Sequence, residues 1–201
     1  MNTVLHPGKL ILLLFVGSLS LDAWASPELG SSTIEPSAFM CIFDRAELLA
    51  LDEHSFDQDM NGGWRAVARH EECTEIAADL IREYRETRGS TSTILYWHEG
   101  QLRASAGSTD EAIRLFEKSR KANDPVGWNL YVDASIAFLK RDMPALLAAR
   151  VALASLPRPE DFDPRDAQGN AVVISWPLNL SFVDGFITCF DREYKEAYGC
   201  R

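Results

Sequence analysis

Beyond its first 25 residues the 201-residue chain has no apolar run near the ~20 residues that a membrane-crossing helix needs. No membrane span is expected there. The chain also lacks basic charge: 20 Lys and Arg stand against 30 Asp and Glu, a net charge of −10. An acidic surface of this kind repels nucleic acid and anionic lipid headgroups, so neither is expected as a partner. There is no phosphate-cradling loop, dinucleotide fingerprint, nucleophile elbow or His-Glu-x-x-His pair. No catalytic motif is found, and no cofactor or metal is expected. Very little of the sequence reads as strand.

What is present begins with an export signal. Met1 to Lys9 carries one Lys, Leu10 to Val16 is an apolar run, and a polar stretch ends in Ala23-Trp24-Ala25. These are the charged, apolar and small-x-small parts of a secretory signal peptide, with cleavage expected after Ala25. No Cys follows the cleavage point, which argues against a lipid anchor. Lys9 and Asp22 would leave together, so the remainder keeps its charge of −10. The compact signal favours a bacterial periplasm, with secretion as the alternative.

Four cysteines follow: Cys41, Cys73, Cys189 and Cys200. An even count in an exported chain points to disulfides before metal sites or nucleophiles. Three connectivities are possible. Cys41–Cys73 with Cys189–Cys200 is favoured because each pair then joins neighbouring helices. The second pair carries a condition. Unbroken helix would hold these cysteines ~16 Å apart, so the chain must reverse near Asp191-Arg192 for the Cα atoms to come within ~7 Å.

The middle of the chain is a succession of amphipathic segments separated by short polar breaks, the rhythm of helix–turn–helix pairs. Ser108-Thr109-Asp110-Glu111 reads as a capping box, with the Ser hydroxyl capping and Glu111 reaching back. Asp124-Pro125 reads as an N-cap followed by Pro at the first helical position. Asp142 reads as another N-cap, with Pro144 in the first turn. Gly89-Ser90-Thr91-Ser92 separates two further helices.

Within this region, Tyr96, Gly100, Ala112, Phe116 and Pro125 fall on a known pattern of small and aromatic slots. The stretch from Leu95 to Ser119 resembles one tetratricopeptide repeat. It departs from that family at Glu99, where Leu is usual, at Arg103, which replaces an aromatic, and at Ser119, which replaces Ala. About 35 residues on, Tyr131, Ser135, Asp142, Leu147 and Val151 occupy corresponding slots. A weaker copy precedes it at Arg65, Glu72, Ala77 and Ile81. The resemblance implies an all-α fold, an α-α solenoid of about three TPR-like helix pairs with N- and C-terminal capping helices. The expected organisation is a signal peptide over 1–25, an N-terminal capping helix region over 26–56, repeats over 57–158, and a Pro-rich acidic loop with C-terminal capping helices over 159–201. Phe39, Ile42, Phe43, Ala46, Leu49 and Ala50 would form the first cap as one helix over 37–51. Phe182, Val183, Phe186, Ile187 and Phe190 would close the far end.

In the resembled family the first helix of each pair lines a concave surface that binds partners. The residues expected there are Asn61 and Arg65, then Trp97, His98 and Gln101, then Asn129, Asp133 and Ile136. Aromatic groups mixed with Asn, Gln and Arg suit an extended peptide. Packing between repeats is the favoured reading for Trp128, and for Trp97 it stands level with partner binding. The expected function is that of an exported adaptor or scaffold, not an enzyme, which binds a peptide segment or protein partner. Two alternatives stand beside it: an enzyme or small-ligand protein using His98, Glu99 and Asp133, and a structural subunit of an envelope assembly. A metal site at His70 and Cys73 is disfavoured because a disulfide would consume the thiolate.

Overall fold

The computed structural model describes residues 41–201 apart from 167. The signal peptide, its cleavage point at Ala25, and Phe39 lie outside these residues. Nine α-helices follow in order among those described: α1 Arg45–Ala50, α2 Gly63–Val67, α3 Thr74–Arg88, α4 Thr93–Ser105, α5 Thr109–Lys118, α6 Trp128–Leu139, α7 Met143–Ala154, α8 Leu180–Thr188 and α9 Tyr194–Gly199. A π-type turn spans His54–Gln58, and a 3-10 turn spans Glu71–Cys73. Among the described residues no strand forms, and a lone antiparallel bridge joins Arg165 to Ala171. Helices adjacent in sequence pack on one another: α3 on α4, α4 on α5, α6 on α7, and α8 on both α7 and α9. No described helix is long and apolar enough to cross a membrane.

The breaks hold the chemistry expected of them, with two corrections. Asp142 accepts from the Ala145 amide at 3.0 Å, with Pro144 in the first turn of α7. Gly89 ends α3 in the left-handed conformation that costs glycine least. Ser108 does stand before α5, but its side chain makes no cap, and Glu111 turns instead to Arg103 at 3.5 Å. Pro125 does not open α6, which begins at Trp128 after Gly127. Asp124 still caps it from a distance, accepting from the Trp128 and Asn129 amides at 2.8 and 2.6 Å.

Small residues set the helix spacing. A Cβ on Gly100 would stand 2.7 Å from the Phe116 ring, so this glycine is what lets α4 lie against α5. Ala112 and Phe116 are fully buried there, as are Ala77 and Ile81 on α3. The next pair differs by one residue. The first helices start 35 apart, at Thr93 and Trp128, but the second helices start 34 apart, at Thr109 and Met143. The buried stripe of α7 is therefore Leu146, Ala149 and Leu153, while Leu147 and Val151 face out at 44% and 60% exposure. A constant 35-residue step puts these two on the wrong side of the helix.

Each departure from the repeat pattern is matched by a partner. Glu99 is 1% exposed and pairs with Arg85 of α3. Arg103 donates to Asp79 at 2.6 Å, and the Ser119 hydroxyl donates to the Phe116 carbonyl at 2.7 Å. The first cap is shorter than expected, because helix runs only over Arg45–Ala50 and Ile42 is 82% exposed. Phe43, Leu48 and Leu49 nevertheless pack against the cluster formed by Phe56, Trp64 and α3.

The disulfides join Cys41 to Cys73 and Cys189 to Cys200, with Cα separations of 5.6 and 6.3 Å. Cys41 precedes α1, so that bond ties an extended segment to the start of α3 and does not join two helices. The required reversal occurs between α8 and α9, where the Arg192 amide donates to the Cys189 carbonyl. Two such bonds suit an oxidising, extracytoplasmic setting. Val183 and Phe186 of α8 are fully buried in the larger core.

Candidate binding site

One pocket of about 330 Å³ gathers three of the residues expected on the binding face, Arg65, His98 and Gln101. On α4 the spacing puts His98, Gln101, Leu102 and Ser105 on one face, at i, i+3, i+4 and i+7. Helix α2 contributes Trp64 and Arg65, and α9 closes the far wall with Tyr194, Lys195 and Tyr198.

Helix α2 is aimed by a tight turn. Gly63 has φ +52°, and a Cβ there would lie 1.9 Å from the Phe56 carbonyl oxygen. Only glycine fits. Gly63→Ala is expected to cost at least ~2 kcal/mol through left-handed strain and backbone collision, measured as a shift in denaturant midpoint. An unchanged midpoint would mean that α2 can be placed another way.

Beneath the pocket lies Asp57, fully buried in the π-type turn. It accepts from Trp64 Nε1 at 2.8 Å, from His98 Nδ1 at 2.7 Å, and from the Gln58 side chain. Burial alone would raise its pKa. The hydrogen bond and charge of His98, the Trp64 donor and the charge of Arg65 outweigh burial and hold the carboxyl below its ordinary range. An ionised Asp57 can only accept, so the hydrogen on His98 Nδ1 is assigned to this bond. His98 Nε2 then lies 3.5 Å from Arg65 Nη2 at the pocket wall.

Arg65 is held without being satisfied. Its Nη1 stands 3.9 Å from Asp57, an ion pair through space and beyond a hydrogen bond, and this buried nitrogen has no partner among the described residues. The guanidinium rests 4.2 Å from the centre of the Trp64 ring. Burial lowers its pKa, offset in part by Asp57 and Asp59. Across the pocket, burial pushes the Tyr194 phenol up, and its hydroxyl is likewise buried without a partner. Lys195 pairs with Glu71 at 2.6 Å, with both side chains more than half exposed.

The remaining expected residues go elsewhere. Trp97 lies in the core at 3% exposure, stacked on Phe116 with Trp128 and Tyr131 at its edges. Trp128 packs there too and donates to the Ser119 carbonyl. Asn61 accepts from Arg69 at the surface. Asn129 clips the Lys121 backbone, and Asp133 accepts from Arg120 at 2.7 Å. Asp133 and Ile136 line a separate groove between α6 and α7. His98, Glu99 and Asp133 are not brought together, since each has its own partner in Asp57, Arg85 and Arg120. His70 and Cys73 hold no metal-type cluster, Cys73 being in a disulfide, and no group of three candidate ligands forms among the described residues.

Sequence reasoning missed Asp57, Trp64, Tyr194, Lys195 and Tyr198. Nothing near Asp57 marks it among its acidic neighbours. Tyr194 and Tyr198 stand one helical turn apart inside the Cys189–Cys200 loop, a spacing that does indicate a short helix folded back on α8. Comparison of the chain with models of known protein families, with curated proteins and with solved structures finds no match.

Proposed function

We propose that the protein is an exported binding module, a solenoid of about three TPR-like helix pairs that holds a peptide segment of a partner in the cell envelope. The pairs would be α2 with α3, α4 with α5, and α6 with α7, with α1 and the α8–α9 hairpin as caps. The observation that carries this reading is the convergence of Arg65, His98 and Gln101, from the first helices of two successive pairs, on one open pocket. Its walls mix aromatic surface with amide, hydroxyl and cationic donors, a composition suited to a peptide's side chains and backbone. The two disulfides fit the oxidising compartment that the signal peptide would deliver the chain to.

Affinity capture from envelope extract tests it. The wild-type protein should retain one partner in near-equal amount, and a folded Arg65→Ala/Gln101→Ala variant should lose it. Asp133→Ala, which alters the other groove, should retain it. Identical sets on all three baits would sink the assignment.

A second reading takes the same pocket as a small-ligand or catalytic site. The Asp57–His98 pair favours it, because a buried carboxylate orienting an imidazole toward a cavity is an arrangement used in acid–base chemistry. Asp57 then replaces Glu99 and Asp133 as the carboxylate beside His98.

A further inference from the structure

We propose that the α2–α4–α9 pocket binds the oxyanion group, carboxylate or phosphate, of its ligand, with Arg65 as the charge partner. The inference rests on the reading of this pocket as the binding site and adds the chemistry that it selects.

The contrast among buried arginines carries it. Arg85 and Arg103 each hydrogen-bond a carboxylate, Glu99 and Asp79 respectively, and the half-buried Arg120 holds both Glu117 and Asp133. In so acidic a chain such partners are easily found. Arg65, with a side chain only 18% exposed, has no hydrogen-bonded carboxylate among the described residues. Its nearest one, Asp57, already accepts from three side chains and stands 3.9 Å away. A guanidinium offers donors in a planar fork that matches the two oxygens of a carboxylate or phosphate. A buried donor left without an acceptor costs free energy that such a ligand would recover.

The surroundings agree. Lys195 of α9 lines the same pocket as Arg65, and its exposed pair with Glu71 is of the weak kind that a ligand can displace. The negative groups nearby are Asp57, fully buried, Asp59, whose charge also acts on Arg65, and Glu71, the exposed partner of Lys195. Trp64, Leu102 and Tyr198 supply an apolar flank. The volume, about 330 Å³, lies at the small end of the ~300–1,000 Å³ range of ligand pockets. The chemistry therefore fits an oxyanion carried on a small apolar or aromatic body.

Benzoate, its neutral isostere benzamide, and phenyl phosphate test this on the full chain at constant ionic strength, read by NMR at the Arg65 Nε–H and His98 ring signals. Both anions should shift these signals saturably, and benzamide at least tenfold more weakly. Arg65→Gln should weaken both anions at least tenfold, and the tighter anion identifies the oxyanion class. If benzamide matches benzoate, or Arg65→Gln binds the anions as wild type does, the inference is wrong. Should Arg65→Gln not fold, the benzoate–benzamide comparison on the wild type decides alone. A partner captured through Arg65 and Gln101 that neither anion displaces would leave the binding-module reading standing and overturn the oxyanion inference. Anion binding with no partner captured would do the reverse. With neither anions nor partner bound, both fall.

Discussion

With both disulfides reduced, the chain is expected to melt at least ~10 °C below its oxidised form. The bonds close loops of 32 and 11 residues. Chain entropy assigns them ~4 and ~3 kcal/mol respectively, and each kcal/mol moves the midpoint of a domain this size by ~2–4 °C. Both tie down parts with modest packing of their own. Helix α1 buries no residue fully, and α9 is six residues long. The pair Cys189→Ala/Cys200→Ala separates the two contributions. It should lower stability by ~3 kcal/mol in denaturant unfolding while the α3–α7 helices keep their circular dichroism. Tyr194 and Ala197 would still be buried against α8, so the variant should fold and its α9 wall should loosen. A melting point indifferent to reductant would mean that the bonds constrain nothing the packing does not already hold.

Glu99→Ala is the second large loss, expected at ~3–5 kcal/mol by denaturant unfolding. Glu99 and Arg85 bond across the α3–α4 contact with side chains 1% and 9% exposed. Truncating the acid strands a buried guanidinium, which keeps only its place 4.0 Å from the centre of the Tyr96 ring. The double replacement Arg85→Leu/Glu99→Leu removes both charges and should recover most of the loss, since buried pairs often exchange for apolar residues at little cost. Burial pushes the Glu99 carboxyl above its ordinary range, with Arg85 and Arg103 offsetting only part of that. A carboxyl raised in this way binds its proton more readily in the folded chain, so wild-type Glu99 favours the fold increasingly as pH falls through the raised value. The Leu pair should lack that acid-side gain. If the double variant is no more stable than Glu99→Ala, the cost lies in packing and the charge account is wrong.

The helical class, the two cysteine pairs and the chain reversal before α9 were readable because each rests on simple signals: periodicity, turn residues and an even cysteine count. Gly100 and Phe116 fell on the small and aromatic slots of the repeat pattern, while their direct contact came from the packing of α4 on α5. What failed was accumulated register. One residue fewer between second helices turned Leu147 and Val151 outward, a difference that no single turn announces. The site was half readable. Arg65, His98 and Gln101 follow from the inward face that the repeat resemblance implies, but Trp97 shares α4 with His98 and Gln101 and turns into the core. Asp57 and the α9 residues come from segments remote in sequence, and their arrival depends on tertiary packing that no spacing encodes.

That remoteness has a kinetic consequence. The helix pairs α3–α4, α4–α5 and α6–α7 are contacts between sequence neighbours, cheap in loop closure and quick to form. The pocket instead joins Trp64 to Tyr198 across most of the chain. It is complete only when a distant contact, α9 against α4, has been made. A ligand held in this pocket would add its binding free energy to the docked state of α9, and is expected to slow amide exchange in the α8–α9 hairpin. Occupancy would be recorded in the mobility of a helix of which the ligand touches only three side chains.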